Sequence, residues 1–126
     1  MELVLREKGV ELVHPAGNWV LKQDIGYSPV EALVASVAGC SIYVYKSILE
    51  KSDIAFELVD AIVTYARDDA KEARPVNQIS ITFRMRVSAS DQAKVSRAAR
   101  MIAPNCPVIQ TLDKAVVVEE LVSFVD

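Results

Sequence analysis

The sequence is poor in the residues that most metal centres and hydrolytic sites require. Among 126 residues there are one histidine, two cysteines and four glycines. The cysteines are far apart, no C-x-x-C or H-x-x-x-H spacing occurs, and no glycine-rich phosphate loop is present. These absences argue against a zinc site, a thioredoxin-type motif and nucleotide binding. We therefore expect neither a metal nor a cofactor.

Positive charge is also limited. The formal net charge is −3, and lysines and arginines are scattered among acidic residues. Such a chain has no basic field for nucleic acid or an anionic membrane. The first 13 residues, MELVLREKGVELV, lack the basic start and apolar block of a signal peptide. We therefore expect a cytoplasmic protein, one domain over residues 1–126, whose thiols are kept reduced.

The stretch from Ser28 to Ser52 predicts a long central helix. Ser28 and Glu31 match a capping box, and Pro29 suits the first helical position. No charged residue occurs from Ala32 to Tyr45, and apolar residues fall on every side of the helical wheel, as in a fully buried helix. A membrane span needs roughly 18 or more apolar residues, so this uncharged run is too short.

The remaining periodicities predict an α+β fold with the order βββαββααβ. These elements are too few to cover an apolar central helix on every side. A second subunit would cover it, so we expect a homodimer. The predicted elements are a hairpin over Glu2–Val13, strands over Asn18–Asp24, Ile54–Arg67, Gln78–Ser88 and Ala115–Phe124, a helix from Ser90 to about Ile102, and a short helix capped by Cys106.

Two motifs carry a resemblance to a known family. S-P-x-E-x-L leads into A-G-C at Cys40, and N-C-P-V surrounds Cys106. From about Tyr27 to the C-terminus the chain resembles the osmotically induced and organic-hydroperoxide-resistance proteins (OsmC and Ohr). The resemblance implies an intertwined homodimer with a long buried helix and thiol-dependent peroxidase activity. It also implies that Cys40 attacks the peroxide, that Cys106 resolves the product, and that Glu31 pairs with an N-terminal arginine to hold the thiolate. Arg6 is the only arginine before the helix.

The residues themselves leave alternatives open. A two-cysteine peroxidase needs two thiols that can meet and something that favours the thiolate. The amides of a helix N-terminus could lower the pKa of Cys106, whereas Cys40 lies mid-helix and needs a nearby cation. Cys40 taken alone is typical of an inert core residue, Cys106 could be only a cap, and Glu31 could be only part of the capping box.

Other side chains have weaker claims. His14 lies in a proline-containing turn, and nothing places it near a cysteine for Cys-His catalysis. Tyr43 and Tyr45 are typical core or interface residues, or walls of an apolar pocket for a hydrophobic peroxide.

The sequence thus predicts a peroxidase that reduces organic hydroperoxides through a sulfenic acid and then a disulfide, which an external dithiol reduces. The alternative is a dimeric binding or structural protein that keeps the fold without turnover.

Overall fold

The computed structural model describes residues 1–126, which form two compact units, residues 1–35 and 36–126. The prediction of a single domain is not tested by this division. The element order confirms the α+β class. The elements are β1 (Leu3–Arg6), β2 (Gly9–Leu12), β3 (Trp19–Val20), α1 (Pro29–Lys51), β4 (Phe56–Arg67), β5 (Val76–Val87), α2 (Gln92–Ala98), α3 (Ile102–Asn105), α4 (Pro107–Thr111) and β6 (Val117–Phe124).

The first unit contains an antiparallel sheet in the order β1-β2-β3. The predicted hairpin is present, with Arg6 opposite Gly9, whose φ of 130° is one that side chains rarely adopt. The third strand is much shorter than predicted. It ends at Val20 because the chain turns back and brings Gly26 against the Val20 backbone. A Cβ added to Gly26 would lie 2.1 Å from the Val20 carbonyl oxygen.

Helix α1 begins where the sequence predicts. The Ser28 amide donates to Glu31 Oε1 at 2.9 Å, and the Glu31 amide donates to Ser28 Oγ at 3.1 Å. This is the reciprocal pair of a capping box, with Pro29 in the first helical position. The helix ends at Lys51, after 23 residues.

A single chain does not bury α1 on every side, as expected from the small number of elements available to cover it. The second subunit that would cover the rest stays a prediction. Val37, Tyr45 and Leu49 are fully buried, but Tyr43 is 76% exposed. A Cβ added at Gly39 would meet nothing within 4 Å, so no element of this chain packs against the helix at that position. The apolar composition of α1 therefore exceeds what one chain covers.

The second unit contains a sheet in the order β4-β5-β6, with β4 antiparallel and β6 parallel to β5. Strand β5 alternates as predicted and presents one fully buried row. On the solvent side, Arg84 pairs with Asp60 and Arg86 pairs with Glu57 across to β4. The buried row consists of Ile79, Ile81, Phe83 and Met85.

The helical segment after β5 is more broken than predicted. Tight 3₁₀ turns at residues 89–91 and 99–101 flank α2, and α3 follows. Pro104 was expected to end this segment, but α3 continues to Asn105. The turn at 99–101 restarts the helix at Ile102, which places Pro104 in the first turn of α3, where its missing N–H is tolerated. Helix α4 begins at Pro107, directly after Cys106, as predicted.

One helix, α1, is long and apolar enough to cross a membrane by length and composition alone. The core helix of a soluble protein passes the same test, and α1 carries charged residues near both ends, Glu31 at the start and Lys46, Glu50 and Lys51 at the end. The length and composition of α1 are therefore only weak evidence for a membrane span.

Candidate active site

The structure brings the two cysteines together. Cys40 lies in the middle of α1, and Cys106 lies between α3 and α4, 66 residues later in the chain. Both thiols are free, and a side-chain hydrogen bond with Cys40 is among the interactions that shift the pKa of Cys106. Two sulfur atoms in such contact are positioned to exchange a bond after one of them is oxidised.

Cys106 caps α4. Its backbone is extended, with φ −97° and ψ 108°, and its sulfur accepts a hydrogen bond from the Ile109 amide at 3.5 Å. The Gln110 amide donates to the Cys106 carbonyl oxygen at 3.0 Å, which starts the helix. Pro107 follows in the first helical position, where no N–H is needed. The N-C-P-V motif therefore fixes the thiol at a helix N-terminus.

The pKa of Cys106 is raised, although the helix amides act in the predicted direction and lower it. Burial is the largest cause, because the side chain is 0% exposed and a thiolate would lose its water there. Hydrogen bonding to Cys40 and charge on Cys40 raise the pKa further. The amides of Ile109 and Val108 do lower it, but they do not offset burial. Burial therefore favours the protonated form of Cys106.

Cys40 has a more open environment. It is partly exposed, next to Gly39, whose open side was described above. Tyr43, one helical turn further on, lines a groove of about 620 Å³ with Ile42 and Phe56. Lys46 and Glu50 also line this groove and pair with each other at 3.8 Å. A substrate that enters from solvent can therefore meet Cys40 more directly than the fully buried Cys106.

The two tyrosines have different positions. Tyr43 lines the groove, as the pocket prediction requires. Tyr45 does not: it is fully buried, its ring lies 4.9 Å from that of Phe83, and its hydroxyl donates to the Val95 carbonyl oxygen at 2.5 Å. This bond joins α1 to α2, so Tyr45 fixes the helix that carries Cys40 against the rest of the core.

Glu31 forms the capping box, and in the first unit no arginine pairs with it. Arg6, the candidate for that role, lies 3.9 Å from Glu11 across the hairpin. The carboxylate of Glu31 accepts from the Ser28 amide instead. The capping interpretation of Glu31 is thus confirmed, while its role toward a thiolate stays a prediction.

His14 has a local structural role. Its Nδ1 accepts a hydrogen bond from the Ala16 amide at 3.0 Å, and its ring stacks on Trp19 with centroids 6.4 Å apart. The Gly17 amide donates to the His14 carbonyl oxygen and closes the turn. These contacts are typical of a histidine that shapes a turn.

Two buried polar groups were not anticipated from the sequence. Ser41 is 0% exposed, and its hydroxyl has no hydrogen-bond partner. Glu120 in β6 has one buried carboxylate oxygen without a partner. A signal for Glu120 was available, because it occupies a core-facing place in the alternation of the last strand. For Ser41 no signal distinguishes it from other small residues of α1.

Comparison with known families gives one clear match. A sequence model described as OsmC-like protein matches residues 22–120, which include Glu31, Cys40 and Cys106. No curated protein matches the chain.

Solved structures resemble the chain over nearly its whole length. An OsmC-like protein from Mycoplasma pneumoniae has a TM-score of 0.81 at 16% identity, covering 99% of this chain and 95% of its own. A hypothetical protein from Aquifex aeolicus has a TM-score of 0.80 at 18% identity, covering 98% and 92%. The organic hydroperoxide resistance protein OhrB of Bacillus subtilis has a TM-score of 0.64 at 14% identity, covering 97% and 96%. At these identities the likeness establishes the fold.

Proposed function

Since the chain belongs to the OsmC-like family, we propose that it is a thiol-dependent peroxidase that reduces organic hydroperoxides. The observation that carries the proposal is the contact between Cys40 and Cys106, two free thiols from distant parts of the sequence. The name of OhrB, an organic hydroperoxide resistance protein with the same fold, is consistent with this substrate class.

Cys40 is the attacking residue in this proposal. Its partial exposure gives a peroxide access, whereas Cys106 is fully buried and favours the protonated form. The Cys40 thiolate attacks one peroxide oxygen, the O–O bond breaks, and the leaving alkoxide takes a proton to become an alcohol. Cys40 is thereby oxidised to a sulfenic acid.

Cys106 resolves the sulfenic acid. Its sulfur attacks the Cys40 sulfur, the S–O bond breaks, and a disulfide forms with release of water. The pKa of Cys106 is raised partly by charge on Cys40, so this cause disappears once Cys40 carries a neutral sulfenic acid. Cys106 then loses its proton more readily than before the attack. An external dithiol reduces the disulfide and restores both thiols.

The substrate class is inferred from a groove that begins on α1 one helical turn after Cys40. Cys40 does not line this groove, but Ile42, Tyr43, Phe56 and Leu58 give it an apolar wall. Apolar walls favour a peroxide with a hydrocarbon group over hydrogen peroxide, because burial of the hydrocarbon contributes about 25 cal/mol per Å².

The same proposal includes a cytoplasmic homodimer. The exposed Tyr43 and the open side of Gly39 leave part of α1 for a second subunit. Glu31 at the start of α1 would help to hold the thiolate together with a cation, and Arg6 remains the candidate arginine.

The test is a free-thiol count and intact mass of the reduced protein before and after one equivalent of cumene hydroperoxide. We expect both thiols to be lost together, with a mass decrease of two hydrogens. Cys40→Ser should not react, and Cys106→Ser should gain oxygen at Cys40. Thiols that are oxidised no faster than free cysteine would favour the alternative, a dimeric binding protein that keeps the fold.

A further inference from the structure

Glu120 occupies a place in the fold where a carboxylate is unusual. In the parallel register it lies opposite Ile81, and Val118 and Val122 lie opposite Ile79 and Phe83. Since Ile79, Ile81 and Phe83 are all fully buried, Glu120 belongs to the core-facing row of the sheet. A charged group in such a row costs free energy unless it is paired.

The carboxylate of Glu120 lacks that pairing. Its Oε2 is buried and accepts no hydrogen bond. Its neighbour Glu119 points the other way, is exposed, and accepts a hydrogen bond from the Ser80 hydroxyl at 3.2 Å. A buried acceptor without a hydrogen-bond donor is rare in folded proteins and calls for an explanation.

A cavity lies at this position. It has a volume of about 310 Å³ and is lined by Glu120 and Val118 of β6, Ser96 of α2, and Arg100 and Ala103 after it. Arg100 forms no ion pair and no side-chain hydrogen bond in the described chain. The cavity is thus lined by both an unpaired carboxylate oxygen, that of Glu120, and an unpaired guanidinium, that of Arg100. A molecule that carried both complementary groups would satisfy both residues.

We propose that this cavity binds a small zwitterion, whose ammonium group donates to Glu120 and whose carboxylate binds Arg100. A simple cation would meet repulsion from Arg100, and a simple anion would meet repulsion from Glu120. The site is separate from the two cysteines in its residues, and the proposal does not depend on peroxidase activity.

The binding depends on pH in a defined direction. Burial raises the pKa of Glu120 to about 7. Only the ionised carboxylate attracts an ammonium group, so affinity rises with pH through about 7 and levels off about one pH unit higher. Two other titratable or charged groups face Glu120: the Tyr45 hydroxyl of α1 and Arg100. Burial, and secondly the charge of Glu120, raise the pKa of Tyr45, so its hydroxyl stays neutral in this range.

The experiment is a titration of the reduced full-length protein with β-alanine, followed by amide NMR shifts and calorimetry at pH 6, 7 and 8. We expect saturable shifts at Ser96, Arg100 and Val118, with affinity at least about fivefold higher at pH 8 than at pH 6. Propylamine and propionate, which each carry one of the two groups, should bind at least about tenfold more weakly. No saturable shift with β-alanine up to about 50 mM would overturn the proposal.

Matched variants locate the site. Glu120→Gln and Arg100→Gln should each weaken β-alanine binding at least about tenfold, and Glu120→Gln should also remove the pH dependence. Glu119→Gln and Arg97→Gln change neighbouring exposed residues that do not line the cavity, and they should bind β-alanine normally. Glu120→Gln is expected to fold, since it replaces an unpaired buried carboxyl by a neutral group of the same shape. Equal binding by Glu120→Gln and the original protein would contradict the assignment.

Discussion

The two cysteines are close enough for Cys40 to shift the pKa of Cys106, but they lie in opposite kinds of helical environment. Cys40 is in the middle of a 23-residue helix, where every nearby amide is already used by the helix. Cys106 is at the start of a five-residue helix and accepts a hydrogen bond from one of its free amides. The free amides of a helix N-terminus favour a thiolate, yet burial raises the pKa of Cys106. Helix position is therefore a weaker guide to thiol chemistry here than access to water.

The open side of α1 beside Cys40 gives the largest expected effect. Gly39→Leu places a large side chain where the single chain has open space, so the protomer should fold. If a second copy of α1 packs there, overpacking of about 1–3 kcal/mol at each of two symmetric positions should weaken the dimer at least about thirtyfold. Analytical ultracentrifugation over a range of concentrations measures this. Lys51→Leu at the exposed end of α1 serves as the control, and a dimer unaffected by Gly39→Leu would place the interface elsewhere.

The difference between the thiols can be measured directly with single-cysteine variants. Cys106→Ser retains Cys40, and Cys40→Ser retains Cys106. We expect iodoacetamide to alkylate Cys40 faster than Cys106 at pH 7.5, because Cys106 is fully buried and its raised pKa lowers its thiolate fraction.

A pH series completes this measurement. Alkylation of Cys106 in Cys40→Ser should still require higher pH than a free cysteine, since burial, the largest cause of its raised pKa, remains. A faster reaction at Cys106 than at Cys40 would reverse the proposed order of attack and resolution.

A smaller effect concerns stability. Cys106→Ala removes the sulfur that caps the Ile109 amide and should lower the free energy of unfolding by about 1 kcal/mol. Cys40→Ala makes a favourable helix substitution and should change it by less than about 0.5 kcal/mol. Urea unfolding of the reduced proteins measures both values, and equal losses would mean that the cap contributes little.

The smallest effect is expected at the start of α1. Glu31→Gln keeps the capping box, so stability should change by less than about 0.5 kcal/mol, whereas Ser28→Ala should cost about 1 kcal/mol. We expect Glu31→Gln to slow the oxidation of Cys40 by cumene hydroperoxide, because the carboxylate charge that orients a cation is lost. Unchanged oxidation rates would limit Glu31 to its observed role as a cap.

The sequence by itself determined the local structure of this protein. The capping box at Ser28 and Glu31, the alternation of β5 and the proline after Cys106 each depend on neighbouring residues, and the structure confirms all three. Errors occurred where the path of the backbone a few residues away decides the outcome. Strand β3 ends early because of a close backbone approach by Gly26, and Pro104 is accommodated because a preceding turn restarts the helix.

Only the tertiary structure decided which thiols, tyrosines and carboxylates lie near one another and which of them are exposed to water. Neighbouring residues do not fix which thiol is more deeply buried, and burial is what raises the pKa of Cys106. Tyr43 and Tyr45 are two positions apart on one helix, yet one lines a groove and the other bonds Val95 in the core. The alternation of the last strand puts Glu120 on its core-facing side, but only the register with the buried Ile81 shows that the carboxylate reaches the core-facing row of this sheet. The exposure of a side chain to water depends on residues far away in the chain, and therefore local sequence patterns could not predict it.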